Sequence, residues 1–368
     1  MLAYMFFLIL CVISSCCERK SSSDIIKVEF GNPIENFTSL IESVEFIPLE
    51  TDSLHILGYQ TWLLLNGNDY IIFDKRHSYI YSYDFVGKFV SEIGKKGNGP
   101  GEYLEIISVQ LYQDSLIVYS MPDKEISYDR QGGAKEKRIG MEIVQSAFKT
   151  KDGILHYYGY GKILPYRLSL IKDGIEIKKF LYDEYNQKVM EVGMSHPIFS
   201  ADEEGIYLID SFNPNILLYK EGEISEFLCL DFGKYRIPEK YFKFDDPYQA
   251  VDYLGTIDGA TVSYFCKDGE DMIVGINYGG PGRDGGMNYG IYRGGKWTWF
   301  GIKGDQWNNP HPLSYTFRNF KNGFMYFLIP ANLVADIPEQ IMLLATNPDA
   351  IKDLKEDDNY VITKIKLK

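Results

Sequence analysis

The sequence predicts an all-β chain folded as a six-bladed β-propeller, with the ring closed by N- and C-terminal strands that share one blade. Three observations carry this reading. The composition favours strands, with 29 Tyr and 22 Phe among 368 residues, because aromatic and β-branched side chains suit a pleated, half-buried surface. A three-strand unit recurs along the chain, each copy bearing a glycine at a hairpin turn. Both ends of the main body read as alternating strands, which lets the first and last segments meet without leaving a free edge.

The first element is an address. "MLAYMFFLILCVISSCCERK" is almost wholly apolar from Leu2 to Ile13. That run is shorter than the roughly 20 residues a membrane span needs and matches the apolar core of a secretory signal. An uncleaved anchor helix is the competing reading. Ile13-Ser14-Ser15-Cys16 resembles a bacterial lipobox, so residues 1–15 read as a lipoprotein signal peptide and Cys16 as the lipidated residue. No Lys or Arg precedes the apolar run, which departs from the usual pattern. Residues 16–23 then form a polar tether that holds residues 24–368 near a membrane without spanning it. The expected location is the bacterial cell envelope, at the outer membrane, with membrane contact through the lipid anchor only.

The body follows as repeats. "IIKVEF" and "SVEFIPLE" are strands near the N-terminus. Full units run at 70–94, 116–140 and 206–230, with a fainter copy at 166–181. Their hairpin glycines, Gly87, Gly132, Gly174 and Gly222, lie 45, 42 and 48 residues apart. A fifth copy turns at Gly294-Gly295, and its wider gap accommodates an insertion. A tight hairpin needs positive φ, which glycine adopts without steric cost. Strand repeats of about 40–50 residues point to propeller blades, which bury their faces against each other. A sixth unit is split between "GFMYFLIP" and the final "NYVITKIKLK". Residues 237–255 and 337–358 break the strand pattern and read as short helical excursions.

"EIGKKGNGPGEY", residues 92–103, is the most motif-like stretch. A phosphate loop requires G-x-x-x-x-G-K-[ST], and no Lys here is followed by Ser or Thr. It reads as the link between two blades.

These features resemble the six-bladed β-propeller lipoproteins of Bacteroidetes, related to NHL-repeat propellers. The residues that carry the resemblance are Asp74 after its strand, Asp84 with Gly87-Lys88-Phe89, and the Gly97–Glu102 link. The terminal "EDDNYVITKIKLK" is similar to that family's closing strand, although Tyr360 stands where Pro often follows the Asn. The resemblance implies a fold and no particular reaction. In related six-bladed hydrolases, polar residues from several blades hold a central calcium ion.

Candidate ligand-binding residues are therefore sought where blade loops converge. Asp74 and His77 share one such turn, and Asp210 and Asn213 occupy the equivalent turn of another blade. The oxygen ligands Asp74 and Asp210 are the candidate calcium set. Against this stands the common use of Asp to bond turn amides. His196 precedes an apparent blade start, Arg283 lies in the glycine-rich "NYGGPGRDGGMNYG", and Trp307 sits in a polar loop. That glycine-rich segment is either a cover over a site or a lax hairpin. Cys229 and Cys266 lie in strand-like flanks and leave a disulfide open. No zinc spacing and no G-x-S-x-G elbow occurs.

A net charge of −13 repels a phosphate backbone unless a local basic patch exists, and the short run Lys135–Arg138 reads as a solvated face, so no nucleic-acid partner is expected. The expected role is an envelope-tethered binding or scaffold module for a protein, peptide or glycan. The alternative is a calcium-dependent hydrolase or lyase at the channel mouth.

Overall fold

The computed structural model describes residues 25–368 except 29, 31–36, 59, 141–143, 160–163, 183–196, 211, 281–285, 304–310 and 315. The chain forms six four-stranded antiparallel blades in a ring, one of them carrying a fifth strand. Blade I comprises Thr61–Asn66, Asp69–Asp74, Tyr79–Tyr83 and Phe89–Glu92; blade II comprises Glu105–Tyr112, Ser115–Met121, Lys124–Tyr128 and Ala134–Arg138. Blade III comprises Ser146–Lys149, Ile154–Tyr157, Tyr166–Lys172 and Ile175–Tyr182; blade IV comprises Phe199–Ala201, Ile206–Ile209, Asn215–Lys220 and Glu223–Asp231. Blade V comprises Gly259–Asp268, Asp271–Gly279, Gly286–Arg293 and Lys296–Lys303. Blade VI takes Phe317–Lys321, Phe324–Ile329 and Val361–Leu367 from the C-terminal part of the chain, and Ile41–Pro48 from the N-terminal part.

The hairpin glycines lie between the third and fourth strands of their blades. Gly87 has φ 86° and Gly132 has φ 82°, in the left-handed region. Before each of these two glycines an aspartate fixes the turn. Asp84 accepts from the amides of Val86 and Lys88, and Asp129 from those of Gln131 and Gly133. The three-strand units visible in the sequence are thus strands two to four. Asp74 consequently ends a second strand and Asp210 follows one.

Six apolar clusters fill the six gaps between neighbouring blades. One example is Trp62, Phe73 and Ile80 of blade I against Ile106, Val118 and Tyr128 of blade II. Each of the other five pairs of neighbouring blades has its own cluster. Fully burying one such side chain contributes about 1.5–3 kcal/mol, so every interface helps to hold the ring.

The chain ends are fastened in several ways. Asn347 pairs its side chain with both backbone groups of Phe46, at 2.9 and 2.8 Å. The Asn359 carboxamide accepts from Leu57 N–H and donates to Glu50 and His55 carbonyls. "IIK" takes a place of its own, as a fifth, parallel strand on the outer edge of blade IV. Further along, Phe30 packs on Phe232, Tyr235 and Tyr278, and Phe37 stacks on Phe300 of blade V at 4.0 Å. The N-terminal segment therefore bridges blades IV, V and VI.

Besides the 3-10 turn Phe37–Leu40, helices of the described residues interrupt the strand pattern at two points. Between blades IV and V, a 3-10 turn at Glu239–Lys243 leads into the helix Pro247–Leu254, capped by Asp246 accepting from Tyr248 N–H. Within blade VI, short helical turns occupy Ala331–Asp336, Glu339–Met342 and Pro348–Ile351.

Candidate functional site: the central channel

The first strand of each blade lines the ring's central channel, a cavity of about 860 Å³. These strands are mostly apolar toward the blades, but they carry Ser108, Gln110, Lys267, Arg318 and Lys321. Most of these polar groups have a structural task. Ser108 Oγ donates to the Ala147 carbonyl at 2.8 Å and accepts from the Ala147 amide at 3.1 Å. The Gln110 carboxamide does the same for both backbone groups of Lys149. Two side chains of blade II thereby take the part of a strand toward blade III. Lys267 is held by Asp202 at 2.7 Å and Glu204 at 3.0 Å, and Lys321 by Asp268 at 2.5 Å. These pairs lie where the inner strands end.

At the opposite end, where the inner strands begin, stand Gln60, Lys75 and Glu105. Lys75 follows the second strand of blade I, and its amide donates to the Gln60 carbonyl at 2.9 Å. Its ammonium lies 5.8 Å from the centre of the Trp62 ring. Burial lowers the Lys75 pKa below its ordinary value, with Glu105 acting in the opposite sense. Arg318, second in the inner strand of blade VI, donates to the Phe317 carbonyl at 2.8 Å and lies 3.5 Å from the Tyr264 hydroxyl.

Asp74, His77, Asp210 and Asn213, singled out in the sequence, lie elsewhere. Asp74 is fully buried and accepts from Gly58 N–H at 2.7 Å, His77 N–H at 3.1 Å and the His77 ring at 2.7 Å. All those partners precede or belong to blade I. The same Asp–His arrangement, three residues apart, recurs at Asp52 and His55, where the ring stacks on Phe89. It is a turn device used twice. Asp210, also fully buried, accepts from Tyr157 OH and the Arg167 guanidinium, both at 2.8 Å, and so joins blade IV to blade III. Asn213 accepts from Asn215 N–H at 3.0 Å within its own turn. Blades I and IV face each other across the ring, so Asp74 and Asp210 do not converge, and neither lines the channel.

Among the described residues, no three His, Cys, Asp or Glu side chains group to hold a metal ion. His196, Arg283, Trp307 and Cys16 lie outside the described residues. Much of the glycine-rich segment is strand: 277–279 and 286–290 belong to a hairpin of blade V. Trp297 and Trp299 stack at 5.6 Å on one strand face and pack against the core between blades IV and V. Cys229 and Cys266 are both free. Burial pushes the Cys266 thiol up to about 12, which disfavours the reactive thiolate.

The Gly97–Glu102 link is filled by its own chain. Glu102 accepts from Gly99 N–H at 2.8 Å, and the Lys124 ammonium donates to the Gly99 and Glu102 carbonyls. No phosphate cradle is left there.

Fold and channel together define a six-bladed β-propeller with a polar-lined central recess. The chain belongs to the family described as Domain of unknown function (DUF4934), which matches residues 24–366. A crystal structure of a Bacteroides fragilis protein considered to be exported is similar, with a TM-score of 0.72 at 16% identity, covering 93% of this chain and 99% of that one. Two fainter likenesses carry no argument. One is the PQQ-bound aldose sugar dehydrogenase of Streptomyces coelicolor, with TM-score 0.39, 10% identity, and 89% and 100% of the two chains covered. The other is PorZ, a surface component of the type-IX secretion system of Porphyromonas gingivalis, with TM-score 0.35, 9% identity, and 74% and 37% covered. No curated protein matches.

Proposed function

We propose that this chain is an exported, lipid-anchored propeller acting as a binding or scaffold module at the cell envelope, with the channel as its recognition recess. The observation that carries the reading is the channel itself. Its volume of about 860 Å³ falls in the range of roughly 300–1,000 Å³ typical of ligand pockets. The polar groups lining it come from several blades. The apolar leader and Cys16 support export and lipid anchoring, and a protein, peptide or glycan at the envelope is the partner class this placement favours. The calcium-dependent hydrolase reading has no supporting geometry among the described residues, because both aspartate carboxylates are already engaged in separate blades.

Two measurements test this. Labelling with a fatty-acid analogue in the producing cell should mark the wild-type chain and fail in Cys16→Ser. Binding screens of the purified protein against glycan, peptide and envelope-protein panels should find a saturable partner. Finding none in any panel would refute the binding reading.

A further inference from the structure

We propose that the end of the channel at which the inner strands begin is a binding site for a small polyanion, carboxylate- or phosphate-bearing, held between Lys75 and Arg318. The proposal rests on the channel being the recognition recess and names the chemistry that the recess takes.

The charge distribution is the first argument. The chain as a whole is strongly acidic, with a net charge of −13. Lys267 and Lys321 of the channel lining are matched by Asp202, Glu204 and Asp268, which leaves Lys75 and Arg318 against Glu105 at the near end, a net of +1. A surface this acidic repels anions, so a cationic lining inside it is a local reversal, and low-dielectric walls focus its field.

The second argument is the contrast between the two ends. At the far end each lysine is matched by carboxylates within ion-pair distance. Those charges hold blade IV to blade V and blade V to blade VI. At the near end no carboxylate of the described residues lies within ion-pair distance of Lys75, whose ammonium is set over the Trp62 ring. Burying an unmatched ammonium costs stability unless something pairs with it. Glu105 weakens that cost without closing an ion pair. Arg318 sits on the adjoining blade at the same end. Its charge acts on Tyr360, whose hydroxyl donates to the Gly58 carbonyl at the start of blade I. A planar guanidinium and a point-charge ammonium on neighbouring blades suit one multivalent anion, the first through paired N–H donors and the second through charge.

The third argument is space. A cavity of about 860 Å³ admits a ligand well beyond a simple inorganic ion, so a small organic anion fits as readily as phosphate.

Isothermal calorimetry on the purified full chain in detergent tests the assignment, with citrate in one arm and inorganic phosphate in the other. Saturable heat with citrate alone assigns a carboxylate ligand, with phosphate alone a phosphorylated one, and with both a site selecting charge. In each case Lys75→Met should weaken binding by about tenfold or more, the worth of one charge-assisted contact. Glu105→Gln should tighten binding, because it removes the one opposing charge. Lys75→Gln serves as the second variant if Lys75→Met fails to fold, and thermal melting confirms folding of each. Absence of saturable binding of either anion to wild type, or equal affinity in the Lys75 variants, overturns the proposal. If the glycan, peptide and protein panels still yield a saturable partner in that case, the binding-module reading stands and only the anion assignment falls.

Discussion

His156 sets up a pH dependence whose size follows from its surroundings. It lies in the second strand of blade III, paired in register with Ala147 and Ser169, and is 2% exposed. Its ring stands edge-on to Tyr158, and its Nε2 has no hydrogen-bond partner among the described residues. Burial lowers its pKa from 6.5 to about 4, with the nearby Glu176 carboxylate opposing. Below pH 6.5 the unfolded chain takes up a proton that the folded chain refuses until about pH 4. The unfolded state binds more protons across that window, so stability falls as pH falls through it. At about 1.4 kcal/mol per pH unit, the whole gap amounts to about 3 kcal/mol. Urea unfolding at pH 7.5 and pH 4.5 reads the effect in wild type and His156→Gln. The wild type should lose about 2–3 kcal/mol more than the variant between the two conditions. Carboxylates held low by their partners, such as Asp202 beside Lys267, contribute equally to both chains and cancel. Parallel losses in the two proteins would refute the reasoning.

Three further outcomes are expected. Asp210→Ala removes the buried acceptor shared by Tyr157 and Arg167 and should cost about 3–5 kcal/mol in urea unfolding. Gln110→Leu leaves both backbone groups of Lys149 without their side-chain partner and should cost about 2 kcal/mol, with little change in fold by circular dichroism. A calcium chelator should leave the melting temperature unchanged. A resident calcium at a thousandfold over its Kd would contribute about 4 kcal/mol, so a clear drop on chelation would restore the metal reading.

The parts of the fold that could be read from the sequence are those where one residue type is compulsory. Gly87 and Gly132 mark hairpins because the backbone there enters the left-handed region, and Asp84 and Asp129 fix the same turns through the amides that follow. Two of the inner strands were hidden for a physical reason. Strands such as Phe199–Ala201 and Ser146–Lys149 are three and four residues long, too short for the alternation that identifies a strand. The "IIK" segment looked like part of the closing blade because its pattern fits any open sheet edge. Its attachment to blade IV depends on a pairing more than two hundred residues away in the chain. Asp74 and Asp210 drew attention as polar residues at strand ends, but a carboxylate that ties down amides and one that awaits a ligand look alike in sequence.

The distinction between those two kinds of polar residue locates the function better than residue type does. In the channel wall, Ser108 and Gln110 stitch blade II to blade III, and Lys267 and Lys321 clamp neighbouring blades. Removing any of them would loosen the ring, so the fold alone accounts for their presence. Lys75 has no such task. Its backbone amide already secures the turn through the Gln60 carbonyl, and its side chain sits part-buried with its charge disfavoured. A methionine there would serve the blade better, since it would fill the same space without a desolvated charge. Where local consistency is broken with no structural gain, the break is expected to serve function. Replacing Lys75 by Met should therefore raise the melting temperature while it weakens anion binding. A variant that is less stable and binds the anion as tightly as wild type would show that Lys75 belongs with the fasteners after all.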